Sequence, residues 1–455
     1  SVLRTLAGDS IDMGAGDDHV NIYVNSSEAV NVHSLAKLDG GSGNDTLSFG
    51  VSGYGEAGAT LTLTHRGATN FENLTGTAVS ETINGDNNAN VLFGGDGADT
   101  INGLAGDDTL YGYTSGSLND GDNNTLNGGS GDDILITGNG DDTLDGGTGT
   151  DTITTGTGSD TIILRANSGG STLADADIIT DFTDGSDVIG MDSLNFSDFT
   201  IAQGSGSNSS HTILSISGEY LGILQNITAS NITAADFMST STSATTFNGT
   251  SGNDTFIGGA GNDTMTTGTG TDIIYGHNGN DNITIDGSGN KTIDGGAGTD
   301  SLSITYSGIT GLDSFTVASS GSTISLTDAS NNVISYSAIE NLTVNSKSYV
   351  YSSSDTINSG DGGISNAFWG DTDNQIISTG STVWYAQNIG TAFSGLSASD
   401  DVTYLGSSSS ETFNFNIDRS STYTGNFTMT LGDGNDTFSV LRTLAGDSID
   451  MGAGD

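Results

Sequence analysis

The stretch from Leu126 to Ile163 leaves this chain few folds to choose from. It reads LNGGSGDDILITGNGDDTLDGGTGTDTITTGTGSDTII and, from Gly128 on, divides into nines: GGSGDDILI, TGNGDDTLD, GGTGTDTIT, TGTGSDTII. Glycine recurs at Gly129, Gly138, Gly147 and Gly156, and again at Gly131, Gly140, Gly149 and Gly158. Two residues after the second set stand Asp133, Asp142, Asp151 and Asp160, and two further on Leu135, Leu144, Ile153 and Ile162. Nine residues suffice for one short strand and one tight turn, so two successive nonapeptides make one coil. Side chains alternate across a strand, which turns the apolar residue inward and its neighbours outward. Glycines let the turn adopt φ > 0 and bring backbone carbonyls together. A flexible Gly/Ser/Thr/Asp linker would not hold an apolar residue in phase over four turns.

Stacking such turns puts aspartates about 4.8 Å apart, the inter-strand spacing, where they repel. Calcium takes six to eight oxygens from carboxylates and carbonyls. One turn supplies about half of such a cage, and the turn stacked on it the rest. The pattern G-G-x-G-x-D-x-U-x, with U a large apolar residue, resembles the nonapeptide of the RTX (repeats-in-toxin) family. The resemblance covers less than half of the chain. It implies an all-β fold in which calcium-loaded parallel β-roll blocks alternate with β-rich, sandwich-like inserts. It also implies several Ca²⁺ ions as cofactors and export by type I secretion to the outside of a bacterial cell or to its surface.

The candidate metal-ligating residues are those in the aspartate phase: Asp9, Asp18, Asp45, Asp99, Asp108, Asp133, Asp142, Asp151, Asp160, Asp254, Asp263, Asp272, Asp281, Asp300, Asp436 and Asp447. Two turns at the entry of the second block are degenerate, with Glu81 and Asn90 in the aspartate position; weaker or absent metal is expected there. The expected organisation is a roll end plus one isolated repeat over 1–47, a β-rich connector over 48–75 and a roll over 76–163. A cap and β-rich segment follow over 164–246, then a roll over 247–302, a β-rich insert over 303–430 and the start of another roll over 431–455. After Ile163, the segment Ala174 to Leu194 resembles the D-x-I-x-D-F-x-x-G-x-D-x-I stretch that commonly follows RTX rolls. Its Ile178, Phe182, Val188 and Ile189 are expected to cover the open end of the thin core. Phe71-Glu72-Asn73-Leu74-Thr75 is echoed by Ile339-Glu340-Asn341-Leu342-Thr343, a hint of internal duplication.

Composition narrows the function. The 455 residues carry 56 acids against 8 Lys plus Arg, a formal charge of −48, which disfavours nucleic acid and anionic membrane surfaces as partners. Apolar content of 33% is low for one large core but suits a repeat with a thin, continuous one. No apolar run reaches the length of a membrane span, so membrane insertion is not expected. There is no Cys, hence no disulfide and no thiol chemistry. None of the five His forms H-E-x-x-H, and G-x-S-x-G is absent, so neither of those enzyme signatures is present and no catalytic role is expected. Ser1 to Asp17 recurs unchanged as Ser439 to Asp455, an offset of 438 residues. Calcium chemistry does not dictate Val-Leu-Arg-Thr-Leu, so tandem units are the expectation. The resulting reading is a structural repeat unit of a secreted filament, surface layer or matrix protein, self-associating through tandem units. The alternative is the extender or ligand-binding region of a giant adhesin, with a cell-surface glycan as partner.

Overall fold

A computed structural model describes residues 10–23, 37–50, 59–63, 68–114 and 121–352, and beyond them the segments 363–364, 367–370, 375–378, 383–385, 402–405, 412–415, 427–430, 437–440 and 448–450. The described residues are all-β, apart from single-turn 3₁₀ segments such as Leu173–Asp175. The chain forms two units, Ser1–Thr240 and Ser241–Asp455.

In the first unit, alternate nonapeptides go to alternate sheets. The strands Thr100–Ala105, Thr125–Ser130, Thr143–Thr148 and Thr161–Arg165 pair in parallel in one sheet; Val91–Phe93, Thr109–Tyr111, Ile134–Ile136 and Thr152–Thr154 do so in the other. Register follows the sequence phase: Leu126 pairs with Leu144 and Leu144 with Ile162, while Leu110 pairs with Leu135 and Leu135 with Ile153. All of these residues are fully buried. Each contributes about 1.5–3 kcal/mol of apolar transfer, and each touches a like residue one coil away. A one-residue slip would turn every one of them outward, so the repeat fixes its own register.

The roll runs further than its obvious period. Asp177–Ile179 continues one sheet, with Ile153 opposite Ile179, and Val188–Asp192 continues the other, with Ile162 opposite Ile189. Of the four residues expected to cover the core here, Phe182 and Ile189 are buried and Ile178 and Val188 are not. Ile179 and Ile189 are buried, whereas Ile178 and Val188 are only part-buried. The reason is that Asp177 and Asp187 occupy the aspartate phase, so the inward residue lies two positions beyond each. The end of the core is closed by later residues. Glu219–Leu224 pairs in parallel with Asp177–Ile179 and in antiparallel with Thr212–Ile216. Phe237 is fully buried, with the Phe196 and Phe199 rings each 5.0 Å from its own.

In the second unit, one sheet stacks Thr246–Asn248, Thr264–Thr266, Asn282–Ile285 and Ser301–Ile304; the other stacks Thr255–Ile257, Asp272–Tyr275 and Lys291–Asp294. Met265, Ile283 and Leu302 of the first share one core with Phe256, Ile274 and Ile293 of the second. Antiparallel strands Phe315–Ser320, Thr323–Asp328 and Val333–Ser337 then join the second sheet, and Val333–Ser337 pairs in parallel with Lys291–Asp294. Within the segment expected as an insert, parallel pairing resumes, Gln375–Ser378 with Val402–Leu405 and that strand with Phe427–Thr430, which pairs in turn with Ser448–Asp450 of the segment expected to start another roll.

Candidate metal centre

The turn geometry begins with glycine. Gly147 and Gly149 have φ of 100° and 132°, and a Cβ on them would overlap the carbonyl oxygens of Gly129 and Gly131 one coil back. Only glycine permits both the conformation and the approach. The carbonyl columns that result flank the aspartates.

Each aspartate uses its two oxygens differently. Oδ1 accepts the backbone N–H of the aspartate one coil earlier, generally 18 residues away. In one ladder Asn90 N donates to Asp108 at 2.7 Å, Asp108 N to Asp133 at 2.7 Å, Asp133 N to Asp151 at 2.8 Å and Asp151 N to Asp177 at 2.9 Å. In the other, Glu81 N donates to Asp99, Asp99 N to Asn124, Asn124 N to Asp142, Asp142 N to Asp160 and Asp160 N to Asp187, at 2.6–3.2 Å. The second unit repeats this: Thr245 N to Asp263, Asp263 N to Asp281 and Asp281 N to Asp300, each at 2.7 Å, and Asp254 N to Asp272 at 3.0 Å. Near the start of the first unit Asp18 N donates to Asp45, also at 2.7 Å.

Oδ2 is the informative atom. In Asp45, Asp108, Asp133, Asp151, Asp281 and Asp300 it is buried with no hydrogen-bond donor. A buried carboxylate oxygen without a partner is costly. Beside it lies a second oxygen: a Cβ on Gly103 would overlap both Asp108 Oδ2 and the Gly128 carbonyl, and one on Gly276 both Asp281 Oδ2 and the Gly295 carbonyl. Such paired oxygens, repeated coil by coil, suit a hard cation with oxygen ligands. Among the described residues no three His, Asp or Glu side chains gather into an all-side-chain cage; the cradle is half backbone.

Electrostatics points the same way. Burial, reinforced by neighbouring carboxylates, pushes Asp108 and Asp151 up to about 7, Asp133 and Asp281 to about 6, and Asp177 to about 8. These groups resist ionisation without positive charge nearby.

Of the residues expected from the sequence, Asp99, Asp108, Asp133, Asp142, Asp151, Asp160, Asp263, Asp281 and Asp300 lie buried in ladders, as do Asp45 and Asp272; Asp18 and Asp254 stand part-buried at ladder starts. Asp9, Asp436 and Asp447 lie outside the described residues. The nonapeptide count missed Asn124, Asp177 and Asp187, because insertions stretch the interval to 25–27 residues. It also left the two echoed pentapeptides unexplained. Glu72 accepts Asp45 N at 2.8 Å and Glu340 accepts Asp300 N at 2.7 Å, so each glutamate serves a ladder. Asn73 N and Asn341 N in turn donate to the Asp45 and Asp300 carbonyls.

The degenerate positions each bond within their own turn, to the amide four residues earlier. Glu81 turns back into its own turn, accepting Thr77 N at 3.1 Å and the Thr77 hydroxyl. Asn90 Oδ1 accepts Asp86 N at 2.8 Å.

Comparison with protein families agrees with this geometry. The family of the RTX calcium-binding nonapeptide repeat (4 copies) matches residues 37–51, 75–113, 119–153, 145–166 and 248–283. No curated protein matches the chain. RTX nonapeptide repeats bind calcium and are characteristic of secreted bacterial proteins, and among the described residues no helix is long and apolar enough to cross a membrane. In-phase glycines, buried aspartate ladders and the family match together show that this chain carries RTX calcium-binding nonapeptide repeats.

Proposed function

We propose that the chain is a structural repeat unit of a secreted, calcium-dependent extracellular filament, surface layer or matrix protein, with calcium held by the in-phase aspartates, except Asp272, whose Oδ2 lies 3.0 Å from the Lys291 ammonium, together with Asp177 and Asp187. The supporting observation is one tripeptide in two places. Ser10-Ile11-Asp12 is a strand that pairs in parallel with Lys37–Asp39 downstream of it. The identical Ser448-Ile449-Asp450 is a strand that pairs in parallel with Phe427–Thr430 upstream of it. Among the described residues, one copy pairs only with a later strand and the other only with an earlier one. Placed in tandem units, a single such strand pairs on both sides, and the coils run on from unit to unit. Self-association is then built into the chain, and calcium stiffens the array by neutralising its ladders.

Electron microscopy of tandem units in calcium tests this reading. A fibre or lattice with a regular repeat is expected, and it should be lost in chelator. Isolated compact monomers in calcium would overturn the structural reading in favour of an adhesin module, to be sought by glycan binding.

A further inference from the structure

One ladder in the second unit ends on a cation. Asp254 N donates to Asp272 Oδ1, but Asp272 N donates to the backbone carbonyl of Asn290 at 3.0 Å, where a carboxylate would be expected. The residue opposite Asp272 in the next coil is Lys291. The turn before it, Asp286-Gly287-Ser288-Gly289-Asn290, keeps the repeat's glycines, and Ile293 keeps the apolar phase, so a lysine stands where the repeat has aspartate. Its side chain is completely buried. Nζ lies 3.0 Å from Asp272 Oδ2 and donates to the Gly270 carbonyl at 2.8 Å and the Ser288 carbonyl at 3.5 Å. A carboxylate Oδ2 and turn carbonyls are the same atom types that make the cradle elsewhere in the rolls. The next position along the ladder is Ile334, opposite Lys291, where the antiparallel strands join the sheet.

We propose that the Lys291 ammonium is a built-in replacement for a calcium ion, closing the Asp254–Asp272 ladder at its last step without metal. A lysine carries one charge on a flexible stem with three donors, enough to offset Asp272 and to satisfy the carbonyls of one turn. This end of the roll, against which the non-repeating strands pack, therefore stays ordered when calcium is withdrawn and offers a formed coil on which the metal-dependent coils assemble. The inference rests on the reading of the other ladders as calcium sites.

The test uses the full chain in three forms, wild type, Lys291→Asp and Lys291→Met, with bound calcium counted by elemental analysis after dialysis and thermal melting followed by circular dichroism. Lys291→Asp should bind one more calcium per chain than wild type. Lys291→Met should melt at lower temperature than wild type in chelator, and calcium should raise its midpoint more than it raises that of wild type, because the ion enters the place the ammonium left. An unchanged calcium count in a folded Lys291→Asp, or a Lys291→Met that melts like wild type in both buffers, overturns the proposal. If Lys291→Asp does not fold, the Lys291→Met comparison decides. A wild-type chain that binds no calcium sinks the ladder reading itself, a result distinct from an unchanged difference between variants.

Discussion

At single positions the repeat tolerates departures whose costs can be separated. Leu104 occupies a turn position with φ of 81° and is half exposed, and His277 sits at φ of 66° where the repeat has glycine. A left-handed conformation costs a leucine about 1–2 kcal/mol, while glycine gives back about 0.5–1 kcal/mol through its freer unfolded chain. Leu104→Gly is therefore expected to stabilise the first unit by about 0.5–1 kcal/mol, read as a rise of a few degrees in melting midpoint. An unchanged midpoint would show that Leu104 makes compensating contacts. The aspartates are less forgiving. Asp151→Ala removes a candidate ligand and also leaves Asp133 N–H buried and unpaired, a loss of about 1–3 kcal/mol before any metal is counted. Asp177→Ala, which orphans Asp151 N–H, should cost as much although it lies outside the visible period. Glu81→Ala should matter much less to calcium-induced folding, since its carboxylate is engaged with Thr77. Calcium titrations of the three variants by circular dichroism check this order; equal effects would mean that aspartate phase does not position the metal.

Among the elements, what was legible followed from period. Strand order, register and the inward column from Ile83 to Ile162 could be read because every coil repeats one local solution. Residues of the same ladder became illegible wherever an insertion changed the interval, as at Asn124, Asp177 and Asp187, because hydrogen bonding counts coils and not residues. In the cap, Phe182 and Ile189 are inward as expected, while Ile178 was one position off from the inward Ile179 because the aspartate phase restarts at Asp177. Glu72 and Glu340 carried a signal, the shared Glu-Asn-Leu-Thr, but its meaning needed the Asp45 and Asp300 amides to be seen. The ladders also set a pH dependence. Asp108, Asp133, Asp151 and Asp177 sit above the ordinary carboxylate value near 4, by burial. Between about pH 4 and pH 7 the metal-free folded state thus holds more protons than the unfolded chain, so its stability falls as pH rises through that window. In chelator the rolls should melt higher at pH 5 than at pH 7.5, whereas calcium, competing with those protons, should be bound more tightly at the higher pH. A chelated midpoint that rises with pH would contradict this.

For the whole molecule, the buried ladders have an arrow. In each step the amide belongs to the earlier coil and the carboxylate to the later one, from Asn90 through Asp108, Asp133 and Asp151 to Asp177. The exposed bonds one residue outward point the other way, with Thr150 N donating back to Asp132 and Ser159 N to Asp141, where water can substitute. The two ends of a roll are therefore unequal. Cutting coils from the amino-terminal end leaves a carboxylate oxygen short of one donor and a strand amide, such as Ile134 N on the Asp108 carbonyl, short of its acceptor. Cutting them from the carboxy-terminal end strands a buried amide and strips the cover from the core. Each coil is thus laced to the next in both directions, its aspartate amide hung on the carboxylate of the coil that follows and its aspartate carbonyl taking the strand amide of that same coil. The result is a rope ladder knotted at both ends of every rung.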